Sequence, residues 1–164
     1  MIVYNNKKGF SILEIIVALF VIAMGMIGVL SLIVQNVQAQ YINKNSLVAS
    51  QLAQEGLELV RNKRDKNWLN GQVWDSGLLG SYRIDYTGTI TNVSLASARL
   101  NKSQEGYYWH DEDGSDPNTI FSRLITASRL DASADKLKVS CLIQWEERGQ
   151  THQYIADTVL YNWR

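Results

Sequence analysis

The stretch "KKGFSILEIIVALFVIAMG", Lys7 to Gly25, joins a short basic end and a glycine to an apolar run that contains one glutamate, Glu14. From Ile15 to Val34 there are twenty consecutive residues without a charge. A helix rises about 1.5 Å per residue, so this run would span roughly 30 Å, the thickness of bilayer hydrocarbon. The stretch therefore predicts a membrane-spanning helix with a carboxylate near its start.

Basic residues on the two sides of this span predict its orientation. Lys7 and Lys8 precede it directly, whereas the first charged residue beyond it is Lys44. Short basic segments stay on the cytoplasmic side of a membrane. We therefore expect the N-terminus inside and the bulk of the chain outside.

Three interpretations compete for the apolar segment. A secretory signal peptide needs an apolar core of about 7–15 residues and a small-x-small cleavage site; this run is longer, and "VQA" at Val37 to Ala39 is a poor site. A plain signal anchor accounts for the length but not for Glu14, since a charge in hydrocarbon costs about 2.5–3.5 kcal/mol. The third interpretation makes Glu14 functional.

The residues from Lys7 to Glu14, followed by a charge-free span, resemble the cleavage and methylation signal of type IV prepilins and of the pseudopilins of type II secretion. The resemblance implies that a membrane peptidase cuts after Gly9 and methylates the new terminus at Phe10. Residues 1–9, with basic Lys7 and Lys8, would then be a leader peptide, and the span would remain in the mature chain.

Cleavage at that position would give Glu14 a charge partner. The new α-amino group at Phe10 would lie one helical turn from the carboxylate, close enough for the two charges to compensate. The resemblance implies that the partner is usually the amine of a neighbouring subunit. An unpaired carboxylate in lipid is costly, so this pairing would favour assembly.

The segment "AMGMIGVLSL", Ala23 to Leu32, is similar to minor pilins whose span contains a Gly-x-x-Gly step instead of a proline. Glycine costs about 1 kcal/mol relative to alanine in a helix, so Gly25 and Gly28 could mark where the helix loosens on polymerisation. Alternatively, these small residues allow close packing of helices. Both interpretations stay open.

Beyond the span, a helical stripe predicts that the helix continues outside the membrane; it comprises Val37, Tyr41, Val48, Leu52 and Leu59. With no proline before Pro117, we expect one helix over about 11–66. The predicted divisions are a leader (1–9), a hydrophobic transmembrane or filament-core helix (10–36), an amphipathic helix (37–66) and an extracytoplasmic β domain (67–164).

The remainder of the chain shows the alternation of β-strands. Tyr82, Ile84 and Tyr86 alternate with polar residues, as in a half-buried strand, and another strand is expected near 119–125. Apolar residues alternate again from Leu137 to Trp145, and "ERGQ" predicts a turn into a strand over about 152–163. The expected fold is α+β and pilin-like, with the long helix packed on a C-terminal antiparallel sheet of at least three strands.

Charge and cysteine content restrict the other functions. The 16 basic and 16 acidic residues balance, and "RNKRDKNW", Arg61 to Trp68, is explained by cations at the negative end of a helix dipole, so we expect no nucleic-acid partner. An intersubunit contact patch is the alternative. Cys141 is the only cysteine, which excludes an internal disulfide, and its place on the apolar face of a strand predicts core packing.

Candidate ligand-binding residues are few. Asp111, Asp113 and Asp116 could offer oxygen ligands to calcium but lack the full spacing and distal glutamate of an EF-hand loop, so we favour a solvated turn. His110 and His152 belong to no recognisable ligand or nucleophile motif. We therefore expect no metal, no cofactor, no small-molecule substrate and no enzymatic activity.

The sequence thus favours a structural subunit, a minor pilin or pseudopilin. The resemblance implies three kinds of partner: other pilin subunits, the prepilin peptidase and methyltransferase, and an inner-membrane assembly platform. It also implies a bacterial cytoplasmic-membrane location, followed by a periplasmic or cell-surface filament. The alternative is a single-pass membrane protein with an extracytoplasmic binding or sensor domain that is not processed as a prepilin.

Overall fold

A computed structural model of the chain describes residues 9–110, 118–130 and 135–163. Its long helix, α1, runs from Ile12 to Leu69. The helix predicted over 11–66 is therefore confirmed. It continues to Leu69 because residues 67–70 include no glycine or proline that would end it earlier. Gly71 follows with a φ of 66°, the left-handed conformation in which glycine commonly terminates a helix.

By their internal contacts, residues 1–43 and residues 44–164 form two separate compact units. In the described part of the first unit, every large apolar side chain from Phe10 to Val34 is exposed. The second unit contains the remainder of α1 and the sheet, and it holds every buried hydrophobic residue in the described part of the chain.

The strands of the second unit form two antiparallel sheets. The larger sheet has five strands in the order β2-β1-β5-β6-β7, and the smaller pairs β3 with β4. This confirms the predicted C-terminal sheet of at least three strands. The strands are β1 (Gly80–Ile84), β2 (Ile90–Asn92), β3 (Asn101–Lys102), β4 (Tyr108–Trp109), β5 (Phe121–Arg129), β6 (Lys136–Glu147) and β7 (Gln150–Tyr161).

The turn predicted in "ERGQ" connects β6 to β7. Glu147 pairs with Gln150, which leaves Arg148 and Gly149 as a two-residue loop. Their φ angles are 53° and 76°, and positive φ at both central residues is the signature of a type I′ hairpin turn. The strand after the turn begins at Gln150, slightly earlier than predicted, because this tight loop returns the chain directly to pairing.

The alternation predicted for β6 is confirmed. Five of its residues are buried, namely Leu137, Val139, Cys141, Ile143 and Trp145. Leu142, which interrupts the pattern, lies half-buried on the opposite face, as period-two alternation requires. This strand pairs with β5 on one side and β7 on the other, so it is an interior strand of the sheet.

The strand predicted around Tyr82 is shorter than expected. Tyr82 and Ile84 are buried, but β1 ends at Ile84 and the Tyr86 side chain is 66% exposed. The reason is a local turn: the Asp85 carboxylate accepts hydrogen bonds from the backbone N–H (3.0 Å) and the hydroxyl (2.6 Å) of Thr87. Such a turn competes with strand extension, so the placement of Tyr86 on the buried face was wrong.

The buried face of α1 also differs from the predicted stripe. Leu52 is buried as expected, but Val48 and Leu59 are only partly buried, and Val37 and Tyr41 are exposed. The buried positions are instead Ala49, Leu52, Ala53, Gly56, Val60, Arg64 and Asn67. Small side chains allow a helix backbone to approach a sheet closely, so the packed face is centred on these positions, with Val48 and Leu59 packed against its edge.

At the closest approach, Gly56 lies against the sheet. A Cβ at Gly56 would be 2.8 Å from Cys141 Sγ and 3.1 Å from Arg123 Cδ, closer than van der Waals contact allows. Cys141 is fully buried there, as predicted, and burial raises the pKa of its thiol to about 12. The thiol is therefore a packing group that stays protonated.

Arg123 on β5 joins the helix to the sheet from inside the core, with a side chain that is fully buried. Its Nη1 donates to the Leu52 carbonyl (3.3 Å) and lies 3.2 Å from Glu55 Oε1, both on α1. Its Nη2 donates to the Ile84 carbonyl at the end of β1 (3.0 Å). One buried cation therefore fixes three elements relative to each other within the second unit.

Candidate functional site

The predicted cleavage position lies immediately before α1. Gly9 and Phe10 precede the first helical residue, Ile12, and the Phe10 side chain is 79% exposed. A Cβ added at Gly9 would meet nothing within 4 Å. The Gly9–Phe10 peptide bond is thus non-helical and accessible, as a peptidase substrate must be.

Ser11 immediately precedes the helix. The Ser11 carbonyl accepts hydrogen bonds from the N–H groups of Glu14 (3.0 Å) and Ile15 (3.2 Å), which closes the first turn. Glu14 is therefore in the first turn of α1, where a carboxylate compensates the positive end of the helix dipole. Among the described residues, no side chain pairs with Glu14, so the carboxylate remains available to an external amine.

The predicted basic residues of the leader, Lys7 and Lys8, lie outside the described residues, so the structure does not test them. The same holds for the calcium candidates Asp111, Asp113 and Asp116. Within the described ranges, no group of three or more His, Cys, Asp or Glu side chains is arranged to hold a metal ion.

The apolar part of α1 has the length and composition of a membrane span, and none of its apolar window is buried. Its large side chains are about half to three-quarters exposed, for example Ile15 at 50% and Ile27 at 69%. A Cβ at Gly25 or Gly28 would meet nothing within 4 Å. Among the residues that the structure describes, no contact therefore requires those glycines.

The basic run near the end of α1 is largely engaged within the chain. Arg61 pairs with Glu58, and Arg64 contacts Asp65 (2.8 Å) while its guanidinium lies 4.6 Å from the centre of the Trp68 ring. Lys66 is in the last turn, where a cation compensates the negative end of the dipole. These contacts support the structural interpretation of the run.

The two histidines have different surroundings. His110 is buried, and its Nδ1 is 3.1 Å from the Arg99 carbonyl, whereas His152 stacks on Trp145 with 5.3 Å between ring centres. Burial, reinforced by the positive charge of Arg123, lowers the pKa of His110 to about 4. His110 is therefore neutral near pH 7.

Comparison with known proteins identifies the N-terminal segment. Residues 4–30 match the family of the prokaryotic N-terminal methylation motif. The chain carries this methylation motif. The motif covers Gly9, Phe10, Glu14 and both glycines of the apolar helix, and it is consistent with a type IV pilin-like protein. No curated protein and no solved structure gave a significant match.

The motif and the architecture together support a prepilin of the type IV pilin or pseudopilin kind. They suggest a structural protein that is anchored in a membrane and assembles with other pilin subunits. Sequence reasoning missed Arg123 and Gly56, although the alternation of Phe121, Arg123 and Ile125 places the arginine on the apolar face of β5.

Proposed function

We propose that this chain is a minor pilin or pseudopilin that is cut after Gly9, methylated at Phe10 and assembled into a type IV pilus-like filament through its apolar helix. The methylation motif, which runs directly into an apolar and exposed helix, carries this proposal. Before assembly the chain waits in the cytoplasmic membrane with its N-terminus inside, and afterwards it belongs to a periplasmic or cell-surface filament.

Exposure of the helix explains why assembly is favourable. Side chains such as Leu19 and Phe20 are 61% and 64% exposed and make no core of their own. In the membrane, lipid covers them; in a filament, the helices of neighbouring subunits replace the lipid. The peptidase, the methyltransferase and an inner-membrane assembly platform are the partners that these steps require.

Glu14 guides the subunit during that transfer. Its carboxylate has no partner among the described residues, and cleavage creates an amine four residues earlier in the chain, at Phe10. In hydrocarbon the attraction between a carboxylate and an amine is strong, so pairing with the amine of a neighbouring subunit sets the axial register.

Processing tests the proposal directly. Co-expression with a prepilin peptidase should yield a chain whose N-terminus, measured by mass spectrometry and N-terminal sequencing, is N-methyl-phenylalanine at position 10. Gly9→Leu should block cleavage, whereas Gly28→Leu, a matched change within the same motif, should not. An intact Met1 terminus would instead support the unprocessed membrane-anchored binding or sensor protein.

Assembly is tested separately. Glu14→Ala should leave the processed N-terminus unchanged but reduce the amount of subunit in sheared filaments, measured by immunoblotting. Glu58→Ala, which removes an exposed carboxylate elsewhere on α1, is the control and should assemble normally. Equal incorporation of the Glu14→Ala chain would show that the carboxylate has no role in assembly.

A further inference from the structure

A cavity of about 460 Å³ opens between the tip of the β1–β2 hairpin and the end of β4. Arg83 on β1 pairs with Thr91 on β2, and cross-strand partners project from the same face of a sheet. That face is opposite to the one from which Tyr82 and Ile84 enter the core. The cavity is thus a separate feature of the C-terminal unit, and its volume is in the range of about 300–1,000 Å³ that is usual for small-molecule sites.

Aromatic and hydroxyl groups dominate the described lining. Tyr86 and Trp109 contribute ring surfaces, and Thr91 is one of three threonines that contribute hydroxyl groups. Rings offer apolar area with a polar edge, and a hydroxyl both donates and accepts hydrogen bonds. No large aliphatic side chain is among the described lining residues, which is unlike a site for a lipid or another purely apolar ligand.

Charge in the described lining is balanced. Arg83 and Asp85 contribute one charge of each sign. Asp85 uses Oδ1 to hold the turn at Thr87, which orients the carboxylate. The lining therefore has no excess charge with which to select an anion or a cation.

His110 adds a buried polar group to the wall. It is only 7% exposed, and its Nδ1 is engaged by the Arg99 carbonyl. Since a carbonyl only accepts hydrogen bonds, Nδ1 carries the proton and Nε2 is left as an acceptor. Nε2 is buried without a hydrogen-bond partner among the described residues.

We propose that this cavity binds a neutral polyhydroxylated ligand, namely a saccharide. The C–H faces of the sugar ring stack on Trp109 and Tyr86, while its hydroxyl groups bond to Asp85 and Thr91. A saccharide fits because it combines apolar C–H patches with many uncharged hydroxyl groups, which is what the lining offers. This binding role is independent of whether the chain is processed and assembled into a filament.

The test uses the full chain in phospholipid nanodiscs, because glycoside detergents would compete. Saturation-transfer NMR is recorded with four probes, namely methyl α-D-glucoside, methyl β-D-galactoside, methyl α-D-mannoside and N-acetyl-D-glucosamine. We expect transfer to the ring protons of at least one probe. Transfer to none of them would overturn the proposal. So would displacement of every bound sugar by inorganic phosphate at equal concentration, seen as loss of the transfer signal, since that result would make the cavity an anion site.

A matched pair of tyrosine variants tests whether the sugar binds in this cavity. Tyr86 and Tyr107 are similarly exposed, at 66% and 62%, but only Tyr86 is among the described residues that line the cavity. Tyr86→Ala should weaken sugar binding by about threefold to tenfold, as loss of a ring contact does, while Tyr107→Ala should not. Equal weakening by both would mean that the sugar binds elsewhere.

A second variant removes a hydroxyl group without disturbing the strand. Thr91→Val keeps a β-branched side chain on β2, so the fold, checked by near-ultraviolet circular dichroism, should be retained. We expect weaker binding of the same probe. Unchanged binding by both Thr91→Val and Tyr86→Ala would exclude the cavity as the site.

Discussion

The apolar segment Ile15–Val34 and the core of the C-terminal unit use the same kinds of side chain in opposite ways. Ile22 in the segment is 57% exposed, whereas Ile125 in the core is fully buried. The apolar side chains of the segment therefore need lipid or other helices to shield them from water, whereas those of the core are shielded by one another. For the segment, apolar composition and length matter most; for the core, the shape of each side chain matters as well.

The largest difference should appear when the same residue type is truncated in both regions. Ile125→Ala should lower the free energy of unfolding by about 2–5 kcal/mol, because it removes buried methyl groups and leaves a cavity. Ile22→Ala should change it by less than about 0.5 kcal/mol, since this exposed side chain is not part of the core. Urea denaturation of the full chain, followed by tryptophan fluorescence, measures both; a similar loss in the two variants would contradict the comparison.

Acid should destabilise the core of the C-terminal unit but not the segment Ile15–Val34, which contains no ionisable side chain. The pKa of His110 is about 4 in the folded chain, below its ordinary 6.5, so between these values the unfolded chain binds a proton that the folded chain does not. The stabilisation is complete above about pH 6.5, and up to about 3 kcal/mol is lost as the pH falls to 4.

His110→Asn isolates this effect. The asparagine amide can replace the donor to the Arg99 carbonyl but does not titrate. The difference in unfolding free energy between wild type and variant should therefore shrink as the pH falls from 7 to 4. A difference that is constant over this range would show that the histidine titrates alike in the folded and unfolded chain.

Two arginines allow the stabilising effect of a buried charge to be compared with that of an exposed one. Arg123 on β5 is buried against α1, and Arg61 on α1 is exposed. Arg123→Met would leave the carbonyls of Leu52 and Ile84 without these donors, at a cost of about 1–3 kcal/mol. Glu55 is 40% exposed and would regain water, so the loss should stay below that of a fully buried ion pair. Arg61→Met breaks an exposed pair with Glu58 and should cost less than about 1 kcal/mol.

The same unfolding measurement compares the two arginine variants. If Arg123→Met were as stable as Arg61→Met, the buried guanidinium would contribute no more than a surface charge. A large loss in both would instead show that the Arg61–Glu58 pair supports the helix more than its exposure suggests.

The regions of this molecule differ in how much of their structure could be predicted from the sequence. The methylation motif and the helix were predictable, because they depend on local patterns: a glycine before an apolar run, a glutamate at a fixed spacing, and no proline before Pro117. The hairpin of β6 and β7 was predictable for the same reason, since alternation and a glycine turn are both local.

The face of α1 that packs on the sheet was not predictable from periodicity alone. Tyr41 is large and apolar but exposed, while Gly56 is buried because Cys141 and Arg123 occupy the space that a side chain would need. The cavity residues were missed for a related reason. Trp109 and Thr91 lie in different sheets, and only the tertiary fold brings them to one wall.

The smallest effects are expected from replacing glycines by alanine. A glycine in the apolar segment has free space around the added Cβ, whereas Gly56 in the core does not. Gly25→Ala has room for a Cβ and should stabilise the helix by up to about 1 kcal/mol. Gly56→Ala gains the same helix stabilisation from the loss of a glycine, but it forces a Cβ to within 2.8 Å of Cys141 Sγ. Overpacking of this kind costs about 1–3 kcal/mol. The expected net change for Gly56→Ala is thus a destabilisation of about 0–2 kcal/mol.

A second substitution identifies the cause of that loss. Cys141→Ala removes the sulfur that the new Cβ would meet, so the double variant should be more stable than the sum of the two single changes by at least about 0.5 kcal/mol. The paired control, Gly25→Ala with Cys141→Ala, should be additive because nothing lies within 4 Å of a Cβ at Gly25. Additivity in the Gly56 pair as well would mean that the helix moves to accept the methyl group, and that Gly56 does not set the helix–sheet distance.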